Sequence, residues 1–512
     1  MSSRWLNWIA TSLLVGPWLV PPVLGPSPAV VGIIFATVVT AAYIWFTVAS
    51  HGIGKSLCAI ELSWLIAGLV SAFAALCQYF GITESMNPWV SHAEIGEAFA
   101  NLRQRNQFAT LTNMALAVLL VSSRPNAENY EDSIARSAMI VLLVAANAAS
   151  ASRTGFLQLC ALVVMSIGLR DNTLAFWRNR AALTAVVAYS VSAFVFLAIG
   201  ELQQAGGGIL ARAQDSALSC SGRLVLWSNV LHLITQKPWL GWGWGELSHA
   251  HFITLYPHER FCEILDNAHN LPLQLAVELG VPVALAVCGA SVWWVVRNKP
   301  WAEVDATRQL AWAVLAIIAL HSLLEYPLWY GPFQMAVVLC LVLLKCNPKA
   351  LSQGAPAPGF ASPNCEPEGG LERLFSPIVA ARMAIVVIAL CAYAGWDYWR
   401  ISQLYLASTA RTEVYRDDTH NKVKGTWLFQ NQVQFAELTT TTLTASNASA
   451  HYAEALRLLH FSPEPRVVEA AIESAVLLGQ DQEALYYLQR YKAAFPDAHA
   501  QWAARSERFK AP

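Results

Sequence analysis

The sequence predicts an all-α polytopic membrane protein. It should have about eleven transmembrane helices, a large loop on the outer face and a C-terminal soluble domain of helical-repeat type. Three observations predict this. Of 512 residues, 55% are hydrophobic and only 13% charged, whereas soluble domains carry about 25% charged residues. Apolar runs long enough to cross a bilayer, about 20 residues as helix, recur through most of the chain before residue 400. Lys and Arg are also segregated. With the N-terminus inside, fourteen lie on inner connections and three (Arg103, Arg105 and Arg153) on short outer ones.

The elements follow in order. Lipid leaves backbone groups no solvent partner, so the spans are helices. Eleven are expected, at about 6–24, 29–49, 57–80, 107–122, 134–151, 155–169, 182–200, 270–296, 309–324, 328–346 and 377–397. "MSSRWLNWIATSLLVGPWLVPPVLG" has the look of a signal peptide, but its apolar run is long and lacks a clear small-residue cleavage site. It reads as an uncleaved first span. Polar loops at 81–106 and 201–269 face outward. "NPKALSQGAPAPGFASPNCEPEGG" reads as an inner linker over 347–376. Residues 1–346 thus form a transmembrane core, 377–397 a last span, and 399–512 an outer soluble domain. "HYAEALRLLHFSPEPRVVEAAIESAVLLGQDQEALYYLQRYKAAFP" has apolar residues at helical spacing with breaks at "FSPEP" and "LGQDQ", a tetratricopeptide-like pattern of one or two units. Such a surface binds polypeptides, although a plain helical cap fits the same pattern.

Ten cysteines make no framework. Cys58, Cys77, Cys160, Cys288, Cys340 and Cys391 fall in apolar runs and act as small hydrophobes. Cys220 and Cys262 share one polar loop, where pairing is open if that loop meets an oxidising compartment.

The outer face concentrates the chemistry. Arg103 and Arg105 stand in "NLRQRNQFATLTNMAL", Arg153 in "SASRTGFLQL", and Arg212 and Arg223 in "RAQDSALSCSGRLVLW". Cations here run against the bias that keeps basic residues inside. Guanidinium matches phosphate oxygens two-pronged and keeps its charge, so a lipid-linked pyrophosphate is a suitable partner; lipid headgroups are the ordinary one. In "ILDNAHNLPLQLAVELG", His269 stands at the mouth of an apolar helix. Imidazole is suited to taking a proton from a hydroxyl, with Asp266 or Asn270 to orient it; capping of the helix by Asp266 or Asn267 is the structural alternative.

A metal is not expected. His249, His251, His258, Glu259, Glu263, Asp266 and His269 are possible ligands, but none forms HExxH, paired CxxC or another spacing of strong metal specificity. "KPWLGWGWGELSH" reads either as an interfacial tryptophan segment or as a sugar-stacking platform. "HSLLEYPLWYGPF" places Glu325, Tyr326 and Tyr330 at an outer turn.

Taken in order, "SRTG", "SGRLVLW", "KPWLGWGWGELSHAHF" and "DNAHNLPLQLAVELGVP" resemble the O-antigen ligase and polymerase-like superfamily, most strongly over residues 145–345. "NLRQRNQFATL", "HSLLEYPLWY" and the soluble tail make the chain look like bacterial protein O-oligosaccharyltransferases of the PglL type. The resemblance implies transfer of a preassembled glycan from undecaprenyl diphosphate to Ser or Thr of exported proteins such as pilins. It implies an inner-membrane enzyme whose active site faces the periplasm, without metal or cofactor. His269 matches the family's essential histidine, and Arg153 and Arg223 its diphosphate-associated arginines. Gln104 matches a glutamine of the outer motif and Tyr326 the tyrosine after glutamate. Arg105 and Asn270 join the expected substrate-binding set. "NLRQRN" departs from the pattern by carrying arginines where glycine and often proline are expected, and the N-terminal "PPVLGPSP" departs too.

The rival readings are an O-antigen ligase whose acceptor is lipid A–core, a polymerase joining two lipid-linked glycans, a flippase for the same lipid, and an assembly factor acting through the tail. Nucleic acid is not an expected partner. The flippase would favour repeated halves with interrupted helices, and no such internal symmetry is visible.

Overall fold

The computed structural model describes residues 3–20, 25–49, 53–121, 130–168, 175–202, 220–345 and 376–508. Arg212 and nearly all of the 347–376 linker lie outside them. Among the described residues every regular element is a helix. The chain forms two compact units, Met1–Arg212 with Trp294–Tyr393, and Ala213–Trp293 with Ala394–Pro512.

The first unit holds α1 (Ser3–Leu19), α2 (Pro28–Ala49), α3 (Ile53–Tyr79), α4 (Arg105–Val121), α5 (Tyr130–Ala149), α6 (Arg153–Gly168) and α7 (Ala175–Leu202). The second contains α8 (Arg223–Gln236), α9 (Leu247–Ile253), α10 (Leu271–Leu279) and most of α11 (Val281–Asn298). α12 (Ala306–Ser322), α13 (Gly331–Lys345) and the first part of α14 (Pro377–Ser402) belong to the first unit again. Among the described residues, five helical segments are long and apolar enough to cross a membrane: Ala29–Val48, Ala59–Tyr79, Arg178–Ile199, Val281–Ala302 and Pro377–Tyr405.

In the first unit α4 is the central helix. Fourteen of its residues are buried, and it packs on α3, α5, α6 and α12. Helices in lipid gain nothing by hiding apolar surface from water, so close packing and interhelical hydrogen bonds hold them. Thr110, Asn113, Asn147, Gln158 and His321 supply such bonds. Gln158 Nε2 donates to the Thr110 hydroxyl at 2.9 Å and to the Ile317 carbonyl at 3.0 Å. Asn113 Nδ2 donates to the Gly155 carbonyl at 2.9 Å, and Asn147 Nδ2 to the Thr112 hydroxyl at 2.9 Å. The Thr110 hydroxyl also lies 2.9 Å from His321 Nδ1. These contacts tie α4 to α5, α6 and α12.

The predicted span at 270–296 is two helices. The chain breaks at Gly280, whose φ is +89°. The glycine-rich loop closes on this joint through its backbone: Trp242 N donates to Val277 O, Gly243 N to Glu278 O, and Val281 N to Pro238 O, at 2.8, 2.9 and 2.8 Å. A Cβ on Gly280 would meet Trp239 O at 2.2 Å, and one on Gly241 would meet Glu278 O at 2.3 Å. Gly241 and Gly280 therefore serve a backbone clasp. Trp239 and Trp244 remain exposed.

In the second unit the tail carries α15 (Glu413–Arg416), α16 (Thr419–Val423), α17 (Gln430–Thr440), α18 (Ala448–Phe461), α19 (Pro465–Leu477), α20 (Asp481–Ala494) and α21 (Pro496–Arg508). Consecutive helices α18, α19 and α20 pack on one another, as the breaks at "FSPEP" and "LGQDQ" predict. Their core of Leu458, Val468, Ile472 and Tyr491 includes Phe252 of α9. Loop and tail thus share one hydrophobic centre.

Candidate active site

The candidate residues fall into two groups, one in each unit. In the first, the starts of α4 and α6 meet the turn that follows α12. Gln104 is the N-cap of α4: its Oε1 accepts from Gln107 N at 2.7 Å. Ser152 caps α6 by accepting from Gly155 N at 2.9 Å, and donates to Asn106 Oδ1 at 2.6 Å. Asn106 Nδ2 in turn donates to Glu325 Oε1 at 2.9 Å. Asn106 therefore brings together the segments bearing Gln104 and Arg105, Arg153, and Tyr326.

Arg153 is the first residue of α6 and is exposed. A guanidinium at a helix N-terminus favours an anion twice over, through its own charge and through the helix dipole. Arg105 pairs with Glu97, so its charge is partly committed inside the protein. Tyr326 stacks with Tyr330, ring centroids 5.7 Å apart. Asn106, Ser152 and Glu325 were not among the predicted site residues. Their signal in the sequence is adjacency: each directly neighbours one that was.

The second group is built around His269. Its backbone is left-handed, with φ of +50°, a region that costs a side-chain-bearing residue free energy. The neighbouring peptides are pinned. His269 N donates to Asn267 Oδ1 at 2.9 Å, Ala268 N to Gln274 Oε1 at 2.7 Å, and Trp227 Nε1 to the Ala268 carbonyl at 3.1 Å. The cap of α10 is Asn270, whose Oδ1 accepts from Leu273 N at 3.0 Å. Neither Asp266 nor Asn267 caps it: Asn267 fixes the His269 peptide, and Asp266 is exposed. Arg223, the first residue of α8, stands one turn before Trp227 and so on its face of the helix. Trp227 thereby links the helix carrying Arg223 to the segment carrying His269.

The rest of the loop is a scaffold. Cys220 and Cys262 form a disulfide with Cα atoms 5.5 Å apart, closing a question the sequence left open. His251 is buried. Its Nε2 lies 3.1 Å from the Phe261 carbonyl and so carries the proton, and Nδ1 accepts from the Tyr256 hydroxyl at 2.8 Å. Burial, then the Arg260 charge, push this imidazole down to about 3. Among the described residues one group of side chains has the arrangement of metal ligands, Glu246 with His249 and His460. His269 is not part of it.

Comparison with known proteins agrees with these motifs. Three family models match: an O-antigen ligase over residues 138–288, a protein glycosylation ligase over 98–121, and the C-terminal part of a virulence-factor membrane-bound polymerase over 309–509. The chain is similar to a general O-oligosaccharyltransferase of Acinetobacter baylyi, 29% identical over 128 residues, which are 24% of this chain and 22% of the relative. It is also similar to a ComP-specific O-oligosaccharyltransferase of that organism, 23% identical over 292 residues, 56% of this chain and 50% of the relative. The chain thus spans half or less of the length of these relatives. Over parts of its length the chain is thus similar to the O-antigen ligase superfamily and, within it, to O-oligosaccharyltransferases.

Proposed function

We propose that this chain is a multi-pass enzyme of the bacterial inner membrane that transfers a preassembled glycan from undecaprenyl diphosphate to Ser or Thr of exported proteins such as pilin. The observation that carries the reading is the left-handed backbone of His269, held by Asn267 and neighboured by pinned peptides. Strain maintained by surrounding bonds is characteristic of functional positions.

In this mechanism the acceptor hydroxyl attacks the anomeric carbon while His269 takes its proton. The new glycosidic C–O bond forms as the sugar–phosphate C–O bond breaks, and the electron pair leaves with undecaprenyl diphosphate. Arg223, in the unit that carries His269, binds the diphosphate and stabilises the charge developing on it, and Arg153 is the anion-binding candidate of the other unit. Gln104, Asn270 and Tyr326 serve mainly through the segments they shape, and Arg105 through its pair with Glu97. A single displacement inverts the sugar carbon. No nucleotide sugar is needed, because the donor lipid carries the activation.

The reading has all eleven apolar helical regions crossing the bilayer, with both polar loops and the tail in the periplasm. The distribution of Lys and Arg supports this orientation, as does the Cys220–Cys262 disulfide, which suits an oxidising compartment.

The match to an O-antigen ligase over 138–288 favours one second reading, the same chemistry with lipid A–core sugar as acceptor. One experiment tests both. Membranes containing wild-type or His269→Ala protein are incubated with lipid-linked glycan and either pilin or lipopolysaccharide core. Glycan is expected on pilin with wild type only, with transfer by the variant down at least about 100-fold, the lower end of what a general base supplies. Transfer by His269→Ala at the wild-type rate overturns the role of the histidine, and glycan on the core alone overturns the protein acceptor.

A further inference from the structure

Glu246, His249 and His460 bring three ligand atoms within 4.8 Å of one another. Glu246 immediately precedes α9, and His249 follows three residues later, a spacing that puts both on one side of a helical turn. His460 comes from the last turn of α18 in the same unit. Its Nδ1 donates to Glu246 Oε2 at 2.7 Å, and His249 Nδ1 lies 3.5 Å from the same oxygen. The two imidazoles are 3.7 Å apart between centroids and inclined at 33°. Both rings thus turn the same nitrogen toward one carboxylate.

We propose that Glu246, His249 and His460 form a binding site for a divalent transition-metal ion of the zinc type, which staples the tail helix α18 to the loop. Two imidazoles and a carboxylate are ligands of the borderline class. Such a set suits zinc, copper or nickel over magnesium or calcium, which take oxygen ligands. The ion enters between the rings and Glu246 Oε2. Each ring ligates as neutral imidazole through its Nδ1 lone pair with its single proton on Nε2, any second proton going to solvent, and two N–metal bonds and one O–metal bond replace the present contacts. Half of the His460 side chain is exposed, so the ion has a solvent route and room for water as a fourth ligand.

The nearby cation whose charge reaches His249 is Lys237. Its ammonium stands over the Trp242 ring, 4.0 Å from the centroid, so it has a partner away from the three ligands. The site is separate from the residues assigned to glycan transfer, and the inference does not depend on that assignment.

The test uses the full chain in detergent, with its disulfide intact, without a polyhistidine tag and stripped by chelator. Zn2+ is titrated calorimetrically, and metal retained after desalting is measured by elemental analysis. Wild type should retain one Zn2+ per chain and gain thermal stability, with no response to Mg2+. His249→Ala and His460→Ala should each weaken binding by more than the about tenfold that loss of even an outer partner costs. His258→Ala, outside the group, should bind as wild type. In Co2+-loaded protein, visible absorption should vanish with either ligand variant. Wild type that retains no Zn2+, or variants that bind it as tightly as wild type, would overturn the proposal. The triad would then be only a hydrogen-bonded clasp between loop and tail.

Discussion

At the scale of single residues, the loop contains two histidines in opposite situations. His269 is half-exposed on a left-handed backbone, whereas His251 is buried with both ring nitrogens engaged. Burial and Arg260 depress the His251 pKa to about 3 from 6.5, so folding favours its neutral form. The unfolded chain takes up this proton as pH falls through about 6.5, and the folded one does not until about 3. The stability so contributed is complete above 6.5 and declines toward 3, by up to about 1.4 kcal/mol per pH unit. His249, held at about 4, acts in the same direction. His251→Asn removes one such group. Its melting temperature should lie well below that of wild type at pH 7, and the gap should narrow by pH 4.5. A gap that stays constant across that range would show that His251 does not titrate as its surroundings require. His269, Arg223 and Arg153 were legible because each stands in a short polar motif at the start of a helix. Asn113, Asn147, Gln158 and His321 were not. They lie within mostly apolar stretches, and only the packing of α4 against α5, α6 and α12 shows that they belong together.

At the scale of elements, the sequence reads 270–296 as one span, and the structure makes it two helices with a backbone clasp at Gly280. The glycine is visible in the sequence, but its partner lies about 40 residues earlier, in a tryptophan-rich segment that reads either as interfacial or as a sugar-stacking platform. Hydropathy records how apolar a stretch is and not where a second backbone must approach it. Two substitutions separate conformation from contact. Gly241 and Gly245 both have positive φ, +68° and +80°, so alanine at either costs about 1–2 kcal/mol in backbone conformation. Only at Gly241 does the new Cβ meet backbone, Glu278 O at 2.3 Å; at Gly245 nothing lies within 4 Å. Gly241→Ala should therefore lower the melting temperature clearly more than Gly245→Ala, and expose the α10–α11 joint to protease. Equal effects would mean that the clasp is not what requires glycine.

At the scale of the whole molecule, the all-helical, apolar class could be read from composition and apolar periodicity. The sharing of one hydrophobic centre by loop and tail could not, since periodicity assigns a buried face to each helix without naming what covers it. Phe252 shows the consequence. Only 1% exposed, it sits in the tail's core among residues some 190 to 240 positions further along, and its ring stacks with Phe495 at 6.5 Å. Arg490 Nε adds a bond to the Ile253 carbonyl at 2.7 Å. A tail that folded by itself would be indifferent to a substitution in the loop. Here Phe252→Ala removes a buried ring from a core that water does drive together, at a cost of about 3–5 kcal/mol. The loss should be felt on both sides of the contact. Hydrogen exchange followed by mass spectrometry should show faster exchange in α18, α19 and α20 together with α9, while α4 and α12 keep their protection. Faster exchange confined to Leu247–Ile253 would mean that the tail's core closes without the phenylalanine, and that loop and tail are separately stable. If instead both loosen, the tail cannot be deleted without disturbing the loop that carries His269. A truncation at residue 399 that abolished transfer would then say nothing about whether the tail binds the acceptor, whereas point substitutions on its exposed face would.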